Sequence, residues 1–289
     1  MATSIGQFLQ LEKLDTNLFR NIHHRENFMG TLFGGQVLAQ ALMACTKTID
    51  DPNLLPHSLH AYFLRAGKSA DPVIYDVETV RDGQSIRSRR AVARQYGKPI
   101  FNMSASFHQL EEGYHHQESM PEGIASPEEL LKTANPIVHD QHIPPSDNRA
   151  GAFNPLEILP LDGVSCDTTE VRAPRAMFWM RAKERLSDES IEHYCTLAFA
   201  SDLGLLATTL LPHNTSLFTG EIIAASIDHA MWFHSREFRA DDWLLCTTYS
   251  PWAGNARGFA HGSIFTRDGR LILSTCQEGL IRPNHQPTA

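Results

Sequence analysis

The sequence lacks the features that mark membrane-spanning and nucleic-acid-binding proteins. It contains no run of 18 or more apolar residues, so no transmembrane helix or stable membrane insertion is expected. Its 25 Lys and Arg residues are outnumbered by 33 Asp and Glu residues, which gives a net charge of −8. Because a nucleic-acid-binding surface is basic, a nucleic-acid partner is not expected either.

Cysteine pairs and a secretion signal are also missing. The five cysteines are an odd number, and no two of them have CxxC spacing. The first residues do not combine a basic segment with an apolar one, as a secretory signal would. We therefore expect a cytoplasmic protein with reduced cysteines in its core.

Several familiar catalytic motifs are absent. There is no GxSxG, GxGxxG or HExxH, and the 15 histidines have no metal-site spacing, so neither a metal nor a cofactor is expected. Gly67-Lys68-Ser69 resembles the end of a phosphate-binding loop, but Tyr62 stands where its first glycine is needed. Residues 51–57 resemble the DxNxxH hydratase pattern, with His57 one position too late.

What is present is the composition of a folded globular protein, with 42% hydrophobic and 20% charged residues. Two stretches share one order of predicted elements. In the first, a small-residue helix at 33–42 precedes β-type segments at 57–64, 73–80, 86–95 and 99–107. In the second, a strand at 175–181 and a helical stretch at 191–211 precede β-type runs at 222–234, 243–250, 257–266 and 270–281.

The two stretches align weakly with each other. Residues 60–64 match 229–233 at an offset of 169, Gly97 matches Gly269 at 172, and residues 34–36 fall near 200–202 at 166. This alignment indicates a duplicated α+β unit. Such a unit fits a double hotdog, in which each of two antiparallel sheets wraps a long helix. The predicted division is an N-terminal hotdog at 1–110, a proline-rich acidic connecting segment at 111–168 with a short helix near 127–134, and a C-terminal hotdog at 169–289.

One charged residue interrupts an apolar face of the second predicted helix. Positions 191, 195, 198, 202, 205 and 209 follow one another by three or four residues, as one helix face does, and position 202 is Asp202. A carboxylate there is costly unless it is paired, so Asp202 is either a structural ion pair or cap, or a functional group. The sequence leaves open whether the helix continues or breaks near Ser201.

Two polar residues stand in similarly apolar strand segments, Ser226 in 222–227 and Gln277 in 271–277. Each alone is more often a satisfied strand residue. With Asp202 they supply a hydroxyl, an amide and a carboxylate, which could hold a water for attack on an activated acyl carbon such as a thioester. The Gly34-Gly35 pair is the most plausible place for close backbone approach at a helix start, where N–H groups would stabilise an oxyanion.

With these residues in view, the chain resembles the acyl-CoA thioesterase II (TesB-type) family over nearly its whole length. The matching blocks are 33–37 (FGGQV), 57–67 (HSLHAYFLRAG), 74–83 (IYDVETVRDG), 200–203 (ASDL), 227–234 (IDHAMWFH), 256–258 (ARG) and 277–279 (QEG). The resemblance implies a double-hotdog hydrolase that converts fatty acyl-CoA to free fatty acid and coenzyme A. It also implies a catalytic set of Asp202, Ser226, where the family usually has threonine, and Gln277.

Further substrate contacts are expected from both halves. His57 matches a family histidine near the site, although a structural role is equally consistent with the sequence. Gly34 and Gly35 are expected to line the site, to let the helix pack tightly inside the sheet, or both. Arg89 and Arg90, on a basic strand, could meet the phosphates of coenzyme A, although a solvated strand face is equally consistent with the sequence.

The repeat predicts one catalytic set per chain. It places Gln36, His57 and Ala105 opposite Asp202, Ser226 and Gln277, so the first half lacks the carboxylate and the amide. Two alternatives stay open: a hotdog-fold enoyl-CoA hydratase and a non-catalytic acyl-CoA-binding protein. Because exposed sheet edges tend to pair between subunits, we expect a homo-oligomer, either a dimer or a tetramer.

Overall fold

The computed structural model describes residues 4–23, 31–133, 155–161 and 168–284. The helices in these ranges are α1 (Ile5–Phe8), α2 (Gly34–Thr46), α3 (Pro127–Thr133), α4 (Ser190–Ser201) and α5 (Leu205–Thr208). The strands are β1 (Leu11–Asp15), β2 (Leu18–Asn21), β3 (Leu55–Phe63), β4 (Ile74–Asp82), β5 (Ile86–Gln95), β6 (Lys98–His108), β7 (Leu156–Pro160), β8 (Arg175–Ala182), β9 (Ile222–Ser226), β10 (Asp228–Phe233), β11 (Leu244–Gly254), β12 (Arg257–Thr266) and β13 (Leu271–Pro283).

All the strands form one antiparallel sheet in the order β1-β2-β4-β5-β6-β3-β10-β13-β12-β11-β8-β7, and β9 adds to the far end of β13. The two predicted halves meet where β3 pairs with β10, with His60 opposite Ala230 and Ala61 opposite His229. Alternating apolar residues on strands such as β5 and β6 face inward, so the sheet curves around an apolar interior.

The interior of the sheet holds two helices, one from each half. Helix α2 is built almost entirely of small and apolar residues and is buried nearly all round, as a core helix should be. It packs against α4, and one continuous apolar cluster contains side chains from both halves. The predicted double hotdog is therefore confirmed, and its two units share a single core.

The second helix is shorter than the predicted 191–211. Helix α4 ends at Ser201, Asp202 caps its C-terminus, and Gly204 takes a left-handed conformation (φ 87°) before α5 begins. Glycine adopts a left-handed backbone conformation at little cost in free energy, so the helical path breaks at Gly204. Positions 191–209 are thus not one helix face, and Asp202 lies at a helix end.

Two further expectations needed correction. The predicted run 222–234 is interrupted at Ile227, which separates β9 from β10. The expected connecting segment 111–168 contributes a strand, because β7 pairs with β8 and extends the sheet. Helix α3 confirms the short helix near 127–134, while residues 134–154 and 162–167 of that segment lie outside the described ranges.

Within the described ranges, no helix is both long enough and apolar enough to cross a membrane. The same residues contain no cluster of three or more His, Cys, Asp or Glu side chains arranged to hold a metal ion.

Candidate active site

Asp202 lies where the end of α4 meets the beginning of α2 from the other half. The Gly35 N–H donates a hydrogen bond to Asp202 Oδ2 at 2.9 Å. A Cβ on Gly34 would lie 2.7 Å from the same oxygen, and a Cβ on Gly35 would lie 2.2 Å from the Phe199 carbonyl oxygen. The two glycines therefore allow both the close packing of α2 on α4 and the backbone bond to the carboxylate.

Strands β13 and β9 bring the other two predicted residues to Asp202. The Gln277 amide Nε2 donates to Asp202 Oδ1 at 2.7 Å and to Ser226 Oγ at 2.8 Å. Ser226 Oγ in turn donates to Asp202 Oδ1 at 3.4 Å, a long bond. The structure thus assembles Asp202, Ser226 and Gln277 into one hydrogen-bonded group, which we call the acidic cluster.

The environment of Asp202 makes it a weaker acid than usual. Burial raises the pKa of Asp202 to about 6, although hydrogen bonds from Gln277, Gly35 and Ser226 act in the opposite direction. The positive end of the α2 dipole also favours the charged form. A carboxyl with a pKa near neutrality is suited to accept a proton during catalysis and to return it.

Two polar groups beside Asp202 have no protein partner among the described residues. The Oε1 atom of Gln277 is buried and unpaired. No hydrogen bond in the described ranges involves the Gly34 N–H, the first N–H of α2. The site therefore offers one free acceptor and one free donor in addition to the carboxylate.

The break at Ile227 explains why Ser226 reaches the cluster. The Ile227 N–H donates to the Glu278 carbonyl, and the Glu278 N–H donates to Asp228 Oδ1, so local bonds replace the regular ladder at this point. Ser226 then pairs with Gly279 on β13, two residues beyond Gln277 and on the same face.

Apolar side chains flank the acidic cluster on two sides. The ring of Phe63 lies beside Gly34, about 3 Å from where a Cβ would stand on that residue. Leu206 of α5 covers Gly279, where an added Cβ would lie 2.4 Å from its Cδ1. Sequence reasoning missed both residues because an apolar residue in an apolar segment gives no signal until the fold places it.

The structure places His57 outside the acidic cluster, and its expected contact with the substrate stays a prediction. Its Nε2 lies 2.8 Å from Ser106 Oγ, and its ring contacts that of His108. His57 is six residues from Phe63 along β3, which is about 20 Å in an extended strand. The repeat equates His57 with Ser226, but β3 and β10 are antiparallel, so equivalent positions lie at opposite ends of the pair.

Arg89 cannot be a phosphate ligand. It is only 2% exposed, and its guanidinium is engaged by Thr48 Oγ1 at 2.8 Å and by Asp82 Oδ1 at 2.7 Å. Because side chains alternate along a strand, Arg89 faces inward and Arg90 outward. Arg90 is exposed and lies 3.9 Å from Glu78. Of the two arginines, therefore, Arg90 alone is still predicted to contact coenzyme A.

The structure also corrects the alignment of the two helices. The caps of α2 are Phe33 and Lys47, and those of α4 are Glu189 and Asp202. Asp202 therefore corresponds to Lys47, and the predicted match with Gln36 was wrong because the glycines of α2 mark a helix start rather than a helix end. The first half still has no carboxylate at the equivalent position.

Comparisons with known proteins agree with this architecture in both halves. The family model described as "Acyl-CoA thioesterase" matches residues 169–280, and the one described as "Acyl-CoA thioesterase N-terminal domain" matches residues 24–108.

Individual relatives cover the chain almost completely. Human acyl-coenzyme A thioesterase 8 is 40% identical over 290 residues, with 96% of this chain and 88% of the relative covered. Acyl-CoA thioesterase 2 of Haemophilus influenzae is 37% identical, with 95% of each covered. The crystal structure of acyl-CoA thioesterase II TesB2 from Mycobacterium marinum superposes with a TM-score of 0.77 at 36% identity, covering 98% of this chain and 99% of that one. The chain thus belongs to the TesB-type acyl-CoA thioesterase family and is an acyl-CoA thioester hydrolase.

Proposed function

We propose that the acidic cluster holds the water that attacks the thioester carbonyl, so that hydrolysis proceeds without a covalent acyl-enzyme. The observation that carries this proposal is the hydrogen-bonded group of Asp202, Ser226 and Gln277 at the start of α2. In the described ranges, no hydrogen bond joins a histidine or a cysteine to these three side chains. A serine nucleophile of the usual kind is activated by a histidine, and Ser226 has no histidine as a hydrogen-bond partner among the described residues.

The proposed reaction needs only a water molecule as co-reactant. The water forms hydrogen bonds to the Asp202 carboxylate and to Oε1 of Gln277. As its oxygen bonds to the thioester carbon, the proton facing Asp202 passes to that carboxylate, and the other stays on the attacking oxygen. The Gly34 N–H, which has no partner among the described residues, donates to the developing oxyanion. The C–S bond then breaks, and the thiolate of coenzyme A takes the proton from Asp202.

The test is release of free thiol from palmitoyl-CoA by purified variants. Asp202→Asn removes the proton acceptor and should lower kcat by roughly 10²–10⁴-fold, the usual contribution of a general base. Asp241→Asn is the matched control, since the side chain of Asp241 is also buried but pairs with Arg239 outside the cluster. A fully active Asp202→Asn variant would contradict the proposal.

Ser226 separates direct attack by water from a covalent route. If Ser226 only helps to hold the water, Ser226→Ala should retain measurable turnover, and single-turnover reactions should show no burst of thiol ahead of fatty acid. A burst in the wild-type protein that Ser226→Ala abolishes together with all activity would indicate an acyl-serine instead.

Three further expectations also remain proposals. Charge reversal of exposed Arg90 to Glu should raise the KM for acyl-CoA if this residue meets the phosphates of coenzyme A, and an unchanged KM would argue against that contact.

The strands β1 and β7 end the sheet, and each pairs with only one strand in the described ranges. Such edges favour association of subunits, so light scattering should show a homo-oligomer. A cytoplasmic location stays a prediction.

A further inference from the structure

His229 is a buried histidine that the proposed reaction does not use. It belongs to β10, is 1% exposed, and lies beneath the end of α4. Its Nε2 is 2.9 Å from Ser201 Oγ and 3.2 Å from Thr275 Oγ1. The histidine therefore connects three elements of the C-terminal half at one atom.

The other hydrogen bonds of these residues indicate where the proton is. Ser201 Oγ donates to the Ala198 carbonyl at 3.0 Å, and Thr275 Oγ1 donates to the Ala230 carbonyl at 2.9 Å. Because each hydroxyl has one proton, both oxygens are left as acceptors toward the ring. Ser201 Oγ also has Met231 Sδ at 3.3 Å as a second possible acceptor. We therefore assign the hydrogen to Nε2 of His229, which donates it to both oxygens.

Each acceptor is next to a member of the acidic cluster. Ser201 directly precedes Asp202 at the end of α4. Thr275 is two residues before Gln277 in β13, and both side chains face the interior. We propose that His229 is a positioning residue for hydrolysis, holding the end of α4 against β13 so that Asp202 and Gln277 keep their hydrogen-bonded separation.

Two properties of the site favour positioning over a purely structural role. The Nδ1 atom of His229 is buried without a partner among the described residues, so an apolar side chain here would avoid an unpaired polar atom. Burial also lowers the pKa of His229 to about 3, which keeps the ring neutral and its hydrogen bonds unchanged wherever Asp202 is ionised.

A second buried histidine on an element of the same half provides a matched control. His193, near the start of α4, is 4% exposed, lies 3.0 Å by its Nε2 from the Ser187 carbonyl and accepts the Ala240 N–H at 3.0 Å. It ties the opposite end of α4 to the fold and contacts no member of the acidic cluster. Replacing either histidine removes comparable buried hydrogen bonds, but only His229 is adjacent to the chemistry.

The experiment compares His229→Leu, His229→Gln and His193→Leu by steady-state kinetics on palmitoyl-CoA and by thermal unfolding. We expect His229→Leu to lower kcat by about 10–100-fold, the effect of sub-ångström to 1 Å misplacement, with KM changed less than about twofold. His229→Gln keeps a donor near the Nε2 position and should restore most of the kcat. His193→Leu should lower Tm to a similar degree while its kcat stays within about twofold of the wild type.

Several outcomes would overturn this role. One is a wild-type kcat in His229→Leu, and another is an equal fall in kcat in His193→Leu. If His229→Leu does not fold, Thr275→Val removes one acceptor while conserving shape, and a wild-type kcat in that variant would equally contradict positioning. The inference rests on the proposed function, yet the two fail separately: an active Asp202→Asn refutes the acidic cluster, whereas an inactive Asp202→Asn with an active His229→Leu refutes only the role of His229.

Discussion

At the scale of single residues, the proposed reaction depends on the pKa of one carboxyl, that of Asp202. Burial raises the pKa of Asp202, while bonds from Gln277, Gly35 and Ser226 lower it, and the result is a value of about 6. A fully solvated aspartate would be too weak a base at neutral pH, and a more strongly raised pKa would leave it protonated. We therefore expect burial and these hydrogen bonds together to set the pH range in which the proposed base works.

This balance predicts the acid limb of the pH–rate profile. Because the proposed base must be ionised, kcat/KM should fall about tenfold per pH unit below a midpoint near 6 and level off above it. Ser226→Ala removes a bond that lowers the pKa, so the midpoint should move to higher pH. Initial rates from pH 4.5 to 8.5 test both statements, and a profile without an acid limb between pH 5 and 7 would contradict them.

The same raised pKa predicts that the site costs stability. The folded-state pKa of Asp202, about 6, lies above the ordinary value of 3.8, so the folded state binds the proton more tightly than the unfolded state does. Stability is therefore lost as pH rises from about 4 to 6, and the loss is complete above that range. Asp202→Asn is exempt from this loss and should gain a few degrees in Tm at pH 8, about 2–4 °C per kcal/mol.

The control for this prediction is the pH itself. Near pH 4 Asp202 is protonated in the folded protein, so the Tm advantage of Asp202→Asn should shrink there. A difference in Tm that does not change between pH 4 and pH 8 would mean that the charge of Asp202 is not what costs stability.

At the scale of elements, the regular parts of the fold could be predicted and the irregular parts could not. Strands β5 and β12 match the predicted runs 86–95 and 257–266, because alternating apolar residues and turn glycines mark them clearly. The predicted helix at 33–42 coincides with the first part of α2. In contrast, the end of α4 depends on a left-handed Gly204, and the break at Ile227 depends on a bond to another strand. Neither leaves a periodic signal in the sequence.

The same distinction applies to the candidate site. Asp202, Ser226 and Gln277 could be found because each is polar in an apolar segment, and the structure joins them by hydrogen bonds. The prediction that Arg89 binds phosphate was wrong because a charged residue on a strand is usually exposed to solvent, whereas this one is buried and paired with Asp82. His229 and Leu206 were missed because their importance comes from neighbours distant in the sequence.

Helix α5 yields a prediction about substrate choice. Leu206 fits against the bare backbone of Gly279 beside Ser226, so it forms an apolar wall next to the acidic cluster. Leu206→Ala should widen this space and raise kcat/KM for branched relative to straight-chain acyl-CoA by about tenfold, the range that small differences in apolar volume produce. Gly279→Ala, which pushes Leu206 outward, should shift the same ratio.

Leu205 is the matched control for this element. It is the neighbouring leucine of α5, is 1% exposed, and faces Gly262 on β12 instead of Gly279. Leu205→Ala should lower the free energy of unfolding by about 2–5 kcal/mol, as a buried leucine truncation does, and leave the branched-to-straight ratio unchanged. If both leucine variants change the ratio equally, the space beside Leu206 does not select the acyl group.

At the scale of the whole molecule, the duplication has produced two units that are not independent. We propose 1–110 and 169–289 as the related halves, with the segment between them supplying β7, which pairs with β8 at one end of the sheet. The halves share the β3–β10 pair, the packing of α2 on α4, and one apolar cluster. The three side chains of the acidic cluster come from the second half alone, but the backbone N–H that holds its carboxylate belongs to the first.

Because both halves contribute to the site, the structure predicts how the separated halves behave. A fragment of residues 111–289 contains Asp202, Ser226 and Gln277, yet it lacks the Gly35 N–H and leaves the face of α4 that packs on α2 exposed to water. Exposed apolar surface of this extent favours aggregation or unfolding, so the fragment alone should release no thiol from palmitoyl-CoA. Co-expression with residues 1–110 should restore a complex and part of the activity, measured by size-exclusion chromatography and thiol release. An isolated 111–289 fragment that is folded and active would show that α2 is dispensable, and catalysis would then not depend on the junction between the halves.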